Sequence, residues 1–223
     1  HTSFSTEEKS LLAMNKRFRG LHQGQRCFVI GNGPSLAKQD LTPLADEITF
    51  TMNAFWKHPV VKLWQPRYHF FADEVLFDGS EPNKEFFAQL VTHLYSPVFF
   101  VPLAVKRVVD EQLLLPAQRT YFVSFTRRLA DGLVDLPDLT RPIPSVMSTA
   151  QLAIMTAMFM GCSPIYLMGL DHDWLSHRGH DRHFYPGPTV EGHPAHQAGL
   201  DRWSYRYLME CQLELWYGYE ALL

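Results

Sequence analysis

The stretch CFVIGNGPSL, residues 27–36, limits the possible folds of this chain more than any other. Residues 26–30 form a near-continuous apolar run, the pattern of a central parallel strand covered on both faces. The run stops at Gly31, Asn32 and Gly33, followed by Pro34 and Ser35. Glycines at a strand end permit positive φ and let another molecule approach the main chain closely. Two readings follow. In one, the segment is ordinary turn chemistry. In the other, main-chain N–H groups at the turn and the next helix start seat a phosphate, and Asn32 bonds the same ligand. The segment is not a Walker loop, and Leu36 stands where a dinucleotide fingerprint needs its third glycine.

The rest of the chain repeats strand and helix signals in alternation. Strands are predicted at 47–53, 68–73, 96–102 and 119–125, and helices at 84–94 and 105–114. Ser5 to Glu8 reads as a capping box opening an N-terminal helix that runs to Gly24. Ser148 or Thr149 caps a buried helix ended by Gly161, and 164–168 is a strand leading to Gly169 and Asp171. Residues 126–144 and 175–200 read as loops beside an active site. From Leu200 onward, Trp203, Tyr207, Cys211, Leu215 and Tyr219 mark a last amphipathic helix. That pattern stops without a cap, so a following element is expected. The expected fold is α/β and Rossmann-like, with a mostly parallel sheet flanked by helices in a single domain over 1–223, plus a lid or loop region.

Composition narrows the partners. With 20 Lys and Arg against 23 Asp and Glu, the net charge of −3 gives no electrostatic footprint for nucleic acid or an anionic membrane. A small-molecule partner is expected instead. No run of about 18 apolar residues suggests a transmembrane segment. Cys27, Cys162 and Cys211 are far apart in sequence and predict reduced, buried thiols and a cytoplasmic setting.

Candidate site residues gather where strands end. Asn32, Asn53 and Asp73 each close a predicted strand, and ligands of open α/β sheets bind outside those carboxyl ends. Asn53 either terminates its strand or contacts the ligand. Asp73 and Asp171 either cap helices and anchor loops or hydrogen-bond a ribose or other ligand group. His172, His177, Asp171 and Asp173 could be written as a metal cluster, but they lack any fixed ligand spacing, and no metal is expected. Among the histidines, His196 and His183 are the candidates for a general base, because imidazole titrates near neutrality.

The strand with GNGPSL, the strand ending in TFTMN, and the hydroxyl pair opening a helix into GCSPIYLMGLDHDW resemble the bacterial family 42 sialyltransferases. They resemble equally the MptE-like group of hydroxymethylpterin diphosphokinases and flagellin glycosylation factors. The likeness spans about residues 20–215. It implies a nucleotide at the strands' carboxyl ends and a CMP-linked acidic sugar passed, without a metal cofactor, to a surface glycan. A histidine would deprotonate the acceptor. By that resemblance Asn32, Ser35 and Asn53, with Gly31 and Gly33 beneath, contact the nucleotide or donor sugar. Ser148 and Thr149 match the pair opening the second ligand-binding helix, and His196 stands five residues before Asp201, as the family's base does. Two family positions differ. An arginine falls on Val146, with Arg141 nearest, and a phosphate-contacting tyrosine falls on Asp173, leaving Trp174 and Tyr185 as stand-ins. The alternative is Mg2+-dependent transfer of diphosphate from ATP to a pterin alcohol, with Asp73 and Asp171 holding the cation. A third is a nucleotide-binding module without turnover, and an oligomer is compatible with each.

Overall fold

Alternate side chains of the central strands enter two different cores, which is why those strands lack polar alternation. The computed structural model describes residues 4–133, 135–173, 175, 183–185 and 204–223. In chain order its regular elements are α1 (Thr6–Ala13), β1 (Cys27–Ile30), β2 (Ile48–Met52), β3 (Tyr68–Phe70), α2 (Glu81–His93), β4 (Val98–Pro102) and α3 (Lys106–Glu111). They continue with β5 (Thr120–Val123), β6 (Phe125–Arg128), β7 (Ile143–Ser145), α4 (Thr149–Phe159), β8 (Ile165–Met168) and α5 (Tyr205–Glu220). Short 3-10 turns fill many of the connections.

Six strands form one sheet in the order β5-β4-β3-β2-β1-β8, and every neighbouring pair is parallel. Cys27 sits opposite Ile48 on one side and Ile165 on the other. The chain walks outward from β1 to β5 and then returns to place β8 on the far side of β1. That reversal makes the β1–β8 junction the switch point, where an open α/β sheet leaves a crevice at its carboxyl edge.

On one face, Ile30, Phe99 and Val101 pack with Phe87 and Leu90 of α2 and Leu12 of α1. On the other, Val29, Phe50, Phe70 and Phe100 pack against α4, whose Ala150, Leu152, Ala153 and Met155 are all buried. The expected parallel α/β architecture is present. All three cysteines are buried and free. Among the described residues, no helix is long and apolar enough to cross a membrane.

Three expectations need correction. The N-terminal helix does not run to Gly24: α1 ends at Ala13 and tightens into a 3-10 turn, Met14–Phe18. The buried Asn15 there donates Nδ2 to the carbonyls of Phe122 and Leu139, at 2.8 and 2.9 Å. Those two long-range bonds fix a geometry that helical periodicity alone does not report. Second, residues 126–144 are not only loop, because β6 and β7 pair there as a small parallel ribbon with an irregular register. Third, the helix expected after the glycine turn is one 3-10 segment, Pro34–Lys38.

Candidate functional site

Where β1, β2 and β8 end, a cleft of about 400 Å³ opens. That volume lies within the range of small-molecule sites. Gly31, Asn32, Asn53, Asp73, Ser148, Thr149, Asp171 and His183 all reach its lining, as does Gly33. The cleft therefore brings together nine of the positions singled out from the sequence, of which the strand-end rule accounts for those after β1, β2, β3 and β8.

The floor is a tight crossing of two main-chain segments. The amide of Gly31 donates to Met168 O and that of Gly33 to Gly169 O, each at 2.8 Å. Ser35 N–H donates to Asp171 Oδ2, also at 2.8 Å, and Leu36 N–H donates to Gly33 O. These internal acceptors correct the sequence reading of the turn as a phosphate seat. The amides of Gly31, Gly33, Ser35 and Leu36 are already bonded, and a carboxylate of the protein stands at the start of the 3-10 turn. Ser35 does not line the cleft.

The reason for the glycines changes with it. Gly33 has φ −65°, an ordinary value, so positive φ is not what the position requires. A Cβ there would lie 2.8 Å from Gly169 O and would overlap the Asp171 carboxylate. At Gly31 a Cβ would collide with Gly169 O and Leu170. Close approach is the requirement, but by the chain's own β8 loop.

The walls carry the polar groups. Asn32 Nδ2 donates to Met52 O at 2.9 Å, which fixes the carboxamide and leaves Oδ1 as the acceptor. Asn32 Oδ1 and Asn53 Oδ1 are both buried and have no hydrogen-bond partner among the described residues. A buried acceptor left in that state costs about 1–3 kcal/mol. Asn53 has φ 49°, and His69 Nε2 donates to its carbonyl at 3.1 Å while His69 Nδ1 meets Thr51 Oγ1 at 2.8 Å. Because a carbonyl can only accept, Nε2 carries the proton in the neutral ring, and Nδ1 accepts from Thr51. Complete burial pushes the His69 pKa down to about 3.

Across the cleft stands the start of α4. Ser148 is the cap: its hydroxyl accepts from Ala150 N–H at 3.2 Å, and Gln151 Oε1 accepts from the amides of Met147 and Ser148. The Ser148 hydroxyl also bonds to Tyr219 of α5, and Tyr219 OH meets His172 Nε2 at 2.6 Å. His172 has φ 49°, its ring lies against Trp216 and Tyr219, and burial lowers its pKa although Asp171 and Asp173 pull it upward. Only three non-glycine residues with positive φ occur among the described residues, and Asn53 and His172 are two of them. Local backbone strain thus concentrates at the cleft.

His172 is the site residue that the sequence reading undervalued. The sequence offers it only as a metal ligand, although the strand-end rule that selects Asp171 extends one residue further. Among the described residues, no three His, Cys, Asp or Glu side chains come together as a metal ligand set. Met52 and Met147 also line the cleft, with no signal in the sequence for either, and Asp173 lines it where the resemblance places a phosphate-contacting tyrosine.

The remaining candidates divide. Asp73 is exposed and accepts Val75 N–H at 3.0 Å, so it caps a 3-10 turn while lining the cleft. Phe184 N–H donates to Asn32 O, which pins residues 183–185 over the end of β1. His183 faces the cleft and stacks on Tyr185, with centroids 4.9 Å apart. Tyr185 itself is buried behind His183 with Lys57 over its ring, and does not line the cleft. His196 and Trp174 lie outside the described residues. The lining holds Asp73, Asp171 and Asp173 and, among the described residues, no lysine or arginine. No protein-family profile matches the chain, and no curated protein matches it.

Proposed function

We propose that the cleft binds a nucleotide-linked sugar and that the protein is a sialyltransferase-like glycosyltransferase, passing a CMP-linked acidic sugar to a glycan acceptor. The observation that carries this reading is the pair of buried carboxamide oxygens, on Asn32 and Asn53, unpartnered on one wall opposite the start of α4. Acceptors of that kind suit the amino group of a base or the hydroxyls of a ribose or sugar. The amides of Ala150 and Gln151 at the start of the eleven-residue α4 are bonded to Ser148, so what suits the departing phosphate there is the helix dipole together with Ser148 and Thr149, which line the cleft. An imidazole at the cleft, His172 or His183, takes the proton of the acceptor hydroxyl. The oxygen attacks the anomeric carbon, and the bond to phosphate breaks with its electron pair leaving on the nucleotide, inverting the centre.

One observation favours a second reading. Three carboxylates without a described lysine or arginine repel a bare phosphate, whereas Mg2+ is commonly held by one or two carboxylates together with substrate phosphates. Asp73 and Asp171 each engage one oxygen internally and offer the other, so they fit that role in diphosphate transfer from ATP to a pterin alcohol. Bound Mg2+ would neutralise the phosphate oxygens and align them for displacement.

Calorimetric titration with CMP, a CMP-sugar, ATP and GTP, with and without Mg2+, separates the two. The expected result is metal-independent binding of the cytidine ligands, weakened about tenfold in Asn53→Gly. Glycine keeps the φ of 49° without strain, so the loss reports the carboxamide. Binding of purines only with Mg2+ transfers the assignment to the second reading, and no nucleotide binding at all overturns both.

A further inference from the structure

Helix α5 buries a narrow stripe and exposes a broad one of the same chemistry. Leu208, Cys211, Leu215 and Gly218 face the protein. Met209, Leu213, Trp216 and Tyr217 lie outside, each 47–52 % exposed. With Leu175, three of them form the wall of an apolar groove of about 620 Å³. Scattered exposed apolar side chains are ordinary on a folded protein, but a continuous helical stripe of large ones marks a contact surface.

The charges at the two ends of the stripe indicate the partner. At about 100° per residue, Arg206, Met209, Tyr217 and Glu220 all project within roughly 40° of Leu213. A second α5 laid antiparallel, with the two-fold axis at Leu213, pairs residues equally far from that position. Leu213 then meets its own copy, Met209 meets Tyr217, and Arg206 meets Glu220 twice over. The pattern is self-complementary, as an isologous interface requires. Arg206 already holds Glu210 through Nε at 2.9 Å, which leaves the outer guanidinium nitrogens for a carboxylate across the axis.

We infer that α5 is the interface of a symmetric homodimer, built on Leu213 and flanked by two Arg206–Glu220 pairs between copies. The contact lies one side chain behind the cleft, because the Trp216 ring meets the edge of His172 at 5.9 Å between centroids. The inference does not depend on the reaction proposed for the cleft.

Sedimentation equilibrium of the whole chain from about 1 to about 100 µM tests it. The wild type is expected to dimerise in that range. Leu213→Arg should weaken dimerisation at least about 100-fold, and Arg206→Glu or Glu220→Arg about tenfold each. The double charge reversal should restore most of the loss. All three sites are exposed, so unchanged far-ultraviolet circular dichroism spectra of the variants show that folding is intact. A wild type that stays monomeric throughout, leaving the face to an unlike partner, overturns the inference. So does a dimer indifferent to Leu213→Arg, or a double reversal no better than the single ones.

Discussion

At Gly33 the missing Cβ matters because of what occupies its place. The Asp171 carboxylate passes through that space to reach Ser35 N–H, and the carbonyl of Gly169 closes it from the side. Alanine fits the local backbone, since φ is −65°, so any cost of Gly33→Ala is steric. Displacing a charged hydrogen bond and crowding a main-chain carbonyl should together cost about 2–4 kcal/mol. Gly24 provides the opposite case, with φ 71° and nothing within 4 Å of a built Cβ. Gly24→Ala carries conformational strain alone, about 1–2 kcal/mol. Urea unfolding of both variants compares the two causes. Equal losses would mean that the crossing of the β1 and β8 loops is looser than the contacts indicate.

Between elements, α4 and α5 are joined by one buried side chain. Gln151 is fully buried, its Oε1 accepts two amides at the start of α4, and its Nε2 donates to Leu215 O at 2.9 Å. Gly218 of α5 lies against it, and a Cβ there would overlap Nε2. Helix propensity favours alanine over glycine by about 1 kcal/mol, while the three bonds of Gln151 are together worth more. Gly218→Ala should therefore lower the melting temperature of the wild type. In a Gln151→Ala background the same change should raise it, because only propensity is left. A thermal-melt cycle reads that reversal of sign, and simple additivity would refute the joint. Such contacts mark the limit of what the sequence discloses. Apolar runs and strand-end polar residues reported β1 to β5, β8 and α4, and through them most of the cleft lining. Nothing local links Gln151 to Leu215, Asn15 to Phe122 or His172 to Tyr219, since each bond joins segments far apart in the chain. The end of α1 at Ala13 and the row behind His172 depend on those bonds. The ribbon of β6 and β7 is not legible in the sequence, because Pro142 and Pro144 read as loop.

For the molecule as a whole, the placement of its histidines makes acid sensitivity a consequence of the architecture. His22, His58, His69 and His172 all have lowered pKa values, each chiefly through burial, and they are spread along the chain rather than gathered in one site. A histidine whose folded pKa lies below its unfolded value binds more protons when unfolded. Its stabilising contribution is complete above about pH 6.5 and declines as pH falls toward the folded value. For His69 that window runs from 6.5 to about 3, with a slope approaching ~1.4 kcal/mol per pH unit for its single proton. Asp40 and Asp138 have lowered pKa values, so their losses begin only near the carboxylate range, below the histidine window's upper half. Between pH 6.5 and 4.5 the decline in stability is thus expected to belong to the histidines. His69→Phe separates this from a general charge effect. It loses the bonds to Asn53 O and Thr51, so it should be less stable at pH 7 by about 1–3 kcal/mol. It has no proton to gain, so its stability should fall less steeply than the wild type's on acidification. Guanidinium unfolding at half-unit steps from pH 7 to 4.5 should show the two curves converging. Parallel curves would place the acid sensitivity elsewhere and detach His69 from the work of holding Asn53 at the end of β2.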